Sequence, residues 1–396
     1  MLRLPSTFRR VWLGTTLAQL GDVGFMLALP WLVLQMTGSS LALGSVMMAL
    51  AIPRALLMLV GGAVSDRYAA RRVLAVAGAV QALCAVAIVA LLHADAMNLA
   101  LLYGLAFCFG MADAFSEPAL RVVLPELVAA EQLPRANALL QASGQLCLLA
   151  GSAVGGAAIA HWGVLPVFVF HVASYAALIA IVLYLPVSAG AAVQAGEDGL
   201  WREIVNGLRH VWHDRALRSL LISFAGINFC VVGATQIGLV VLADAHYGSA
   251  GLGVLMACVA IGSLAGLALA AQWQPAAGID ATVAGASIAL GGLLAGLALP
   301  MPLWWMGVVA ALLGAVAGFV NVLVVSWLQG QVRSDMLGRV MSVLGLASAG
   351  IVPLSLAVAG VVAGNGTSPL FLGAGGLLVL MAVALRMVTR RRAQAA

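Results

Sequence analysis

The sequence predicts an all-α membrane protein in which twelve transmembrane helices form two six-helix bundles, and three observations carry the prediction. Of its 396 residues, 63% are hydrophobic and only 8% are charged, whereas a soluble domain carries roughly 25% charged residues. So few charges cannot cover a chain of this size toward water, and most of its surface must face lipid. Twelve apolar stretches each match the length of about 20 helical residues that crosses a hydrocarbon core about 30 Å thick. The arginines, finally, fall in alternate connections between those stretches.

The stretches run over 12–36, 41–63, 73–92, 99–120, 137–160, 164–186, 217–242, 250–272, 279–299, 303–327, 339–362 and 369–388. With the N-terminus in the cytoplasm, Arg3, Arg9 and Arg10 lie inside, followed by Arg67, Arg71 and Arg72, then Arg121 and Arg135. Arg202, Arg209, Arg215 and Arg218 come next, then Arg333 and Arg339, then Arg386, Arg390, Arg391 and Arg392. No arginine falls in an outside loop, and Arg54 alone sits deep within a span, away from its ends. This asymmetry predicts a multi-pass membrane protein with both termini cytoplasmic; the expected location is a bacterial inner membrane. The first span is too long for a signal-peptide core and is expected to be retained.

The longest polar interval, 187–216, divides the chain into an N-terminal bundle at 1–186 and a C-terminal bundle at 217–396. Within it Trp201, Ile204, Val205, Leu208, Val211 and Trp212 recur at helical spacing opposite Arg202, Glu203, Arg209 and His213. That pattern suits either an amphipathic helix on the cytoplasmic interface or a solvated linker helix packed on the bundle. The halves echo one another: Glu131, Arg135 and Gly156 recur 204 positions on as Asp335, Arg339 and Gly360. Leu43, Gly44, Met47, Ala51 and Ile52 recur 209 positions on as Leu252, Gly253, Met256, Ala260 and Ile261. Duplicated six-span halves are the parallel repeat of many secondary transporters.

Composition also excludes. The chain has no lysine, so the phosphate-binding lysine of a nucleotide P-loop and the amine of a Schiff-base enzyme are both missing. The five cysteines stand singly in apolar runs and the six histidines form no HExxH, so no metal site, cofactor or disulfide framework is expected. The net charge of +5 is spread between apolar stretches, not gathered on one basic face, which argues against a nucleic-acid partner.

After the second span comes Gly61-Gly62-Ala63-Val64-Ser65-Asp66-Arg67-Tyr68-Ala69-Ala70-Arg71-Arg72. This resembles the GxxxDRxGRR loop of the major facilitator superfamily, with the second glycine missing and the arginine pair one residue late. Leu20-Gly21-Asp22, the run Leu29 to Leu34, Ala112-Asp113-Ala114-Phe115 with Pro118-Ala119, Leu124-Pro125-Glu126-Leu127-Val128 and Gly338-Arg339-Val340 look like the macrolide-efflux and enterobactin-exporter branch. The resemblance implies the major facilitator fold, a gate built by Gly62, Asp66, Arg67, Arg71 and Arg121, and its second-half analogue at Asp335 and Arg339. Gly151, Gly155 and Gly156 resemble the antiporter GPxxGG motif with serine in place of proline; such small residues let helices approach closely.

Ionisable residues inside a membrane are functional candidates, because each is costly to place there. Asp22 and Arg54 lie about ten residues from the cytoplasmic ends of spans 1 and 2, hence at similar depth, and are expected to pair. Two readings stay open for them, a structural ion pair or proton coupling at Asp22. On span 4, Asp113, Glu117 and Arg121 follow at four-residue intervals and share a face. Asp113 and Glu117 are placed to accept protons or a cationic substrate; alternatively Glu117 neutralises Arg121 and leaves Asp113 as the working acid.

The resemblance also implies that spans 1, 4, 7 and 10 line the cavity. Polar residues fit that assignment: Gln19 and Asp22, then Asp113 and Glu117, then Asn228 and Gln236, then Asn321. Phe25, Phe115, Phe229 and Trp327 are candidate apolar contacts, and Arg54 a candidate charge, in the same cavity. The expected protein is a secondary transporter, not an enzyme, exporting small, mostly hydrophobic molecules by alternating access as a monomer, with protons as coupling ion. Export of a siderophore or lysolipid-like metabolite is the alternative within transport. A non-transporting receptor is the alternative outside it.

Overall fold

A computed structural model describes residues 4–184, 209, 212, 215–272, 278–299, 301–331 and 334–395. Among the described residues, twelve helices are long and apolar enough to cross a membrane. They are α1 (Ser6–Thr37), α2 (Ser40–Arg67), α3 (Ala70–His93), α4 (Leu99–Leu127), α5 (Leu133–Trp162) and α6 (Leu165–Leu183). Next comes α7, in which Arg215–Gly233 continues through a π-helical turn at Ala234–Gly238 into Leu239–His246. The last five are α8 (Gly248–Gln272), α9 (Ile279–Leu297), α10 (Leu303–Gln331), α11 (Ser334–Ala363) and α12 (Thr367–Ala395). No strand occurs among the described residues.

Local chemistry sets the ends. Ser39 caps α2 by accepting from the Ala42 amide at 3.2 Å, and Asn98 caps α4 by accepting from the Leu101 amide at 3.0 Å. Gly38 stops α1 in the left-handed conformation, φ 60°, with its amide donating to the Leu34 carbonyl at 2.8 Å. Several helices outrun their apolar stretches where arginines follow, as α12 does through Ala395. A helix keeps its backbone bonds past the hydrocarbon edge, so hydropathy marks the crossing and not the helix end.

The chain divides into two compact units, Met1–Ala195 with Gly248–Val254, and Gly196–Tyr247 with Leu255–Ala396. Of the expected linker 187–216, only Arg209, Trp212, Arg215 and Ala216 are described; the rest of its amphipathic pattern lies outside the described residues. In the first unit α2 packs on α4, α1 on α5 and α6, and α3 on α4 and α6. In the second, α9 packs on α10 and α12, and α7 on α11.

Glycines make these contacts possible. A Cβ at Gly110 of α4 would collide with the Leu50 carbonyl oxygen of α2, and one at Gly61 of α2 would lie 2.5 Å from the Ala114 carbonyl oxygen. Pro118, having no N–H, cannot bond that Ala114 carbonyl within α4. On α5, Gly151 meets Val23 and Leu20 of α1, Gly155 meets Leu27, and Gly156 meets Gly253, which clusters with this unit. Across the second unit, Gly291 and Gly375 bring α9 against α12 backbone to backbone. Lipid gives helices no hydrophobic reason to associate, so close packing of this kind supplies the attraction.

Candidate functional site

The interior of the first unit holds two polar clusters. The first joins α1 and α6. Gly21 stands directly against Ser174 Oγ and within 3.2 Å of the His171 Cα, as measured from where its Cβ would be, so the helices touch at that level. The next residue, Asp22, is thereby turned toward α6. Its two carboxylate oxygens accept from the Tyr175 hydroxyl at 2.9 and 3.0 Å, and Oδ1 lies 3.7 Å from His171 Nδ1. His171 is completely buried. Its ring packs among Phe25, Phe109 and Tyr175 at centroid distances of 5.0, 5.6 and 4.6 Å.

The second cluster joins α2, α3 and α4. Arg54 Nε lies 3.1 Å from Asp113 Oδ2, the buried Gln81 side chain donates to Asp113 Oδ1 at 3.3 Å, and Ser116 donates to Gln81 Oε1 at 3.4 Å. Arg121 donates to Glu117 at 2.6 Å on the more exposed end of α4. The clusters meet at one cavity of about 140 Å³ lined by Thr15, Gln19, Asp22, Asp113, Ser116, Glu117 and Tyr175, with Ala18, Leu74, Leu120 and Leu178 as its apolar wall. The Asp22 side chain, about a third accessible, opens on that space. Carboxylate, hydroxyl and amide groups facing a small cavity can exchange protons with water inside it; the apolar wall keeps that exchange local.

Several sequence expectations are corrected here. Asp22 and Arg54 do not pair. Their depth is similar, but the Gly110 contact sets the face on which α2 meets α4 and puts Arg54 opposite Asp113. The Gly21 contact turns Asp22 away, toward α6. Phe25 is not a cavity residue: it is 1% exposed and stacks on Phe109 at 4.1 Å with edge contact to Phe168. Phe115 lines a different cavity, an apolar space of about 490 Å³ between α2, α3 and α4 with Arg72 at one end. Glu117 is bound to Arg121.

In the second unit, Asn228 donates to the Phe224 carbonyl of its own helix at 2.9 Å, while Gln236 in the π turn and Asn321 are exposed. None of the three lines that unit's cavity of about 200 Å³, formed by Phe229, Cys230, Ser355 and neighbouring apolar residues of α7, α11 and α12. Of the residues expected to form a gate, Gly62, Asp66 and Arg67 lie in the last turns of α2, Arg71 in the first turn of α3, and Asp335 and Arg339 near the start of α11. The side chains of Asp66, Arg67, Asp335 and Arg339 lie outside the described set.

His171, Tyr175 and Gln81 do not stand out as polar partners in the sequence alone. His171 and Tyr175 stand four residues apart on one face of span 6, and that spacing of two polar-tipped rings in an apolar run was the available signal.

Residues 11–354 match the profile of the Major Facilitator Superfamily. The chain belongs to the major facilitator superfamily. Like other members it is a multi-pass membrane transporter, with twelve candidate spans among the described residues. It is 30% identical over 346 residues to the multidrug efflux pump Tap of Mycolicibacterium fortuitum, covering 85% of this chain and 84% of the relative. It is 29% identical over 357 residues to the Tap pump of Mycobacterium tuberculosis, covering 88% and 84%. Among solved structures it resembles the nucleoside transporter NupG, with a TM-score of 0.77 at 13% identity over 97% of this chain and 99% of the other. A bacterial homologue of the iron transporter ferroportin gives 0.73 at 14% identity over 98% and 99%. At such identities the two structures share the superfamily's fold with this chain and nothing further.

Proposed function

We propose that this major facilitator exports small, mostly hydrophobic molecules across a bacterial inner membrane by alternating access, exchanging them for protons, with both termini in the cytoplasm. The observation that carries the proton coupling is the state of Asp22. Of three acids on the cavity, Asp113 and Glu117 each have an arginine at 3.1 and 2.6 Å, while Asp22 is held by a tyrosine hydroxyl and faces open space. In a low-dielectric interior a carboxylate paired with an arginine gains less from a proton than one without a paired cation. Protonation then shifts the balance between conformations, because the two states of the transporter bind the proton unequally.

The efflux function of the relatives and the apolar lining of the chain's cavities support a hydrophobic cargo. The arginine-rich connections support the orientation. In inverted vesicles energised by respiration, a lipophilic fluorescent dye is expected to accumulate in the acidic lumen, and a protonophore is expected to release it. Accumulation that persists with the protonophore present, or that never exceeds vesicles lacking the protein, contradicts the proposal.

A further inference from the structure

Charge in the first unit is balanced unevenly. Asp113 has the guanidinium of Arg54 and Glu117 that of Arg121, whereas among the described residues the base within ion-pair distance of Asp22 is His171. That imidazole is fully buried beside the Gly21 backbone, and neither ring nitrogen makes a hydrogen bond of good geometry. An orphaned buried polar group costs roughly 1–3 kcal/mol and is uncommon enough to call for an explanation. Adding a proton removes the difficulty. The imidazolium has two N–H donors, and the groups beside it, the Asp22 carboxylate and the Gly21 carbonyl, are both acceptors. The rings of Phe25, Phe109 and Tyr175 around it also present electron-rich surfaces that attract a cation.

We infer that His171 shares the coupling proton with Asp22, the loaded transporter holding it as an imidazolium–carboxylate pair. In the released state a neutral imidazole stands beside a carboxylate bound by Tyr175. The proton enters from water in the cavity at Asp22, passes to the ring nitrogen, and leaves by the same atoms, so only O–H and N–H bonds change. The loaded pair is neutral and the released one carries a single negative charge. Closing the 3.7 Å gap between Asp22 and His171 to hydrogen-bond length adds a polar bond between α1 and α6 in the loaded state alone, which gives protonation a structural consequence.

The groups that face this pair are few. Asp22 comes from α1, Tyr175 from α6 itself, and Phe109 from α4. Gly78 of α3 abuts Tyr175, and α5 contributes Cys147, whose thiol donates to the Thr16 carbonyl of α1. Arg54 of α2 and Asp113 of α4 are bound to one another.

The inference rests on the proton-coupled reading above, and the test separates the two. Purified protein in liposomes is assayed with the same dye in two ways, by accumulation against an imposed pH difference of about one unit and by dye-for-dye exchange at equal pH. One proton exchanged for one neutral molecule converts one pH unit into at most about tenfold accumulation. Wild type is expected to approach that value. His171→Phe, which keeps an aromatic ring among Phe25, Phe109 and Tyr175, is expected to fall to no accumulation while still exchanging dye. Wild type without any pH-driven accumulation defeats the coupling reading itself; a coupled wild type with an equally coupled His171→Phe defeats only the role of His171. Should that variant fail to fold, wild type and Asp22→Asn with ring-¹⁵N-labelled histidine carry the test. One buried imidazole is expected to lose its titration when Asp22 is replaced, and identical histidine titrations in both proteins overturn the inference.

Discussion

The two six-helix units share a packing plan and differ in where they keep charge. In the first, Gly110 of α4 presses on the Leu50 carbonyl of α2; in the second, 204 and 209 positions on, Gly314 of α10 presses on the Val259 carbonyl of α8. The same contact therefore recurs at the offsets that relate the two halves of the sequence. Yet where the first unit has Arg54 and Asp113, the second has Ser263 and Ala317, and the Ser263 hydroxyl simply donates to the Gly314 carbonyl at 3.3 Å. Asp22 corresponds to Val231 and Glu117 to Asn321, and no acidic or basic residue occurs at 281–332 or 340–385. Helix association in lipid thus needs the glycines and not the charges. On the proposed reading, the charges of the first unit serve coupling more than the fold.

The largest effect expected from this comparison comes from the shared contact. Gly110→Leu and Gly314→Leu each drive a side chain into a neighbouring backbone that cannot yield, at or above the roughly 1–3 kcal/mol typical of overpacking. Both variants are expected to lose monodisperse behaviour in detergent, measured by size exclusion and thermal melting. If only the first-unit variant fails, the two contacts are not equivalent.

A smaller effect is expected from the unshared pair. Arg54→Ala leaves Asp113 partly buried without its cation. The loss is expected near 2 kcal/mol, below the roughly 3–5 kcal/mol of a fully buried pair because the Arg54 side chain is 48% accessible. The double variant Arg54→Ser with Asp113→Ala, which copies the second unit, is expected to recover most of that loss in the melting temperature. Failure of the double to exceed Arg54→Ala in stability means that the pair also holds α2 on α4. The smallest change is expected from Glu117→Gln, which removes an exposed i,i+4 pair worth about 0–1 kcal/mol and should leave both the melting temperature and pH-driven dye accumulation near wild type.

Most of the helical architecture was legible in the sequence because membrane crossing is a matter of length and hydropathy. That signal is one-dimensional. The Glu117–Arg121 pair was legible too, since four residues on a helix fix both height and face. The partner of Arg54 was not. Counting residues from the membrane edge gives depth, but which neighbour a side chain meets at that depth depends on helix rotation. Here rotation is set by glycine contacts, at Gly110 against Leu50 and Gly21 against Ser174, that look like ordinary composition in a chain with 45 glycines. His171 and Tyr175 were hidden for a related reason. In an apolar span their rings read as packing, and only the folded chain places their polar atoms beside Asp22. Phe25 shows the reverse, a residue placed in the cavity by its helix and removed from it by rotation onto Phe109.

The central claim is that the first unit carries the coupling proton at Asp22, the acid without an arginine. It is tested most directly by proton release when dye is added to purified, weakly buffered protein, in wild type, Asp22→Asn and Asp113→Asn. Release from wild type and from Asp113→Asn, with none from Asp22→Asn, is the predicted result. Undiminished release from Asp22→Asn, with release abolished in Asp113→Asn, contradicts the account.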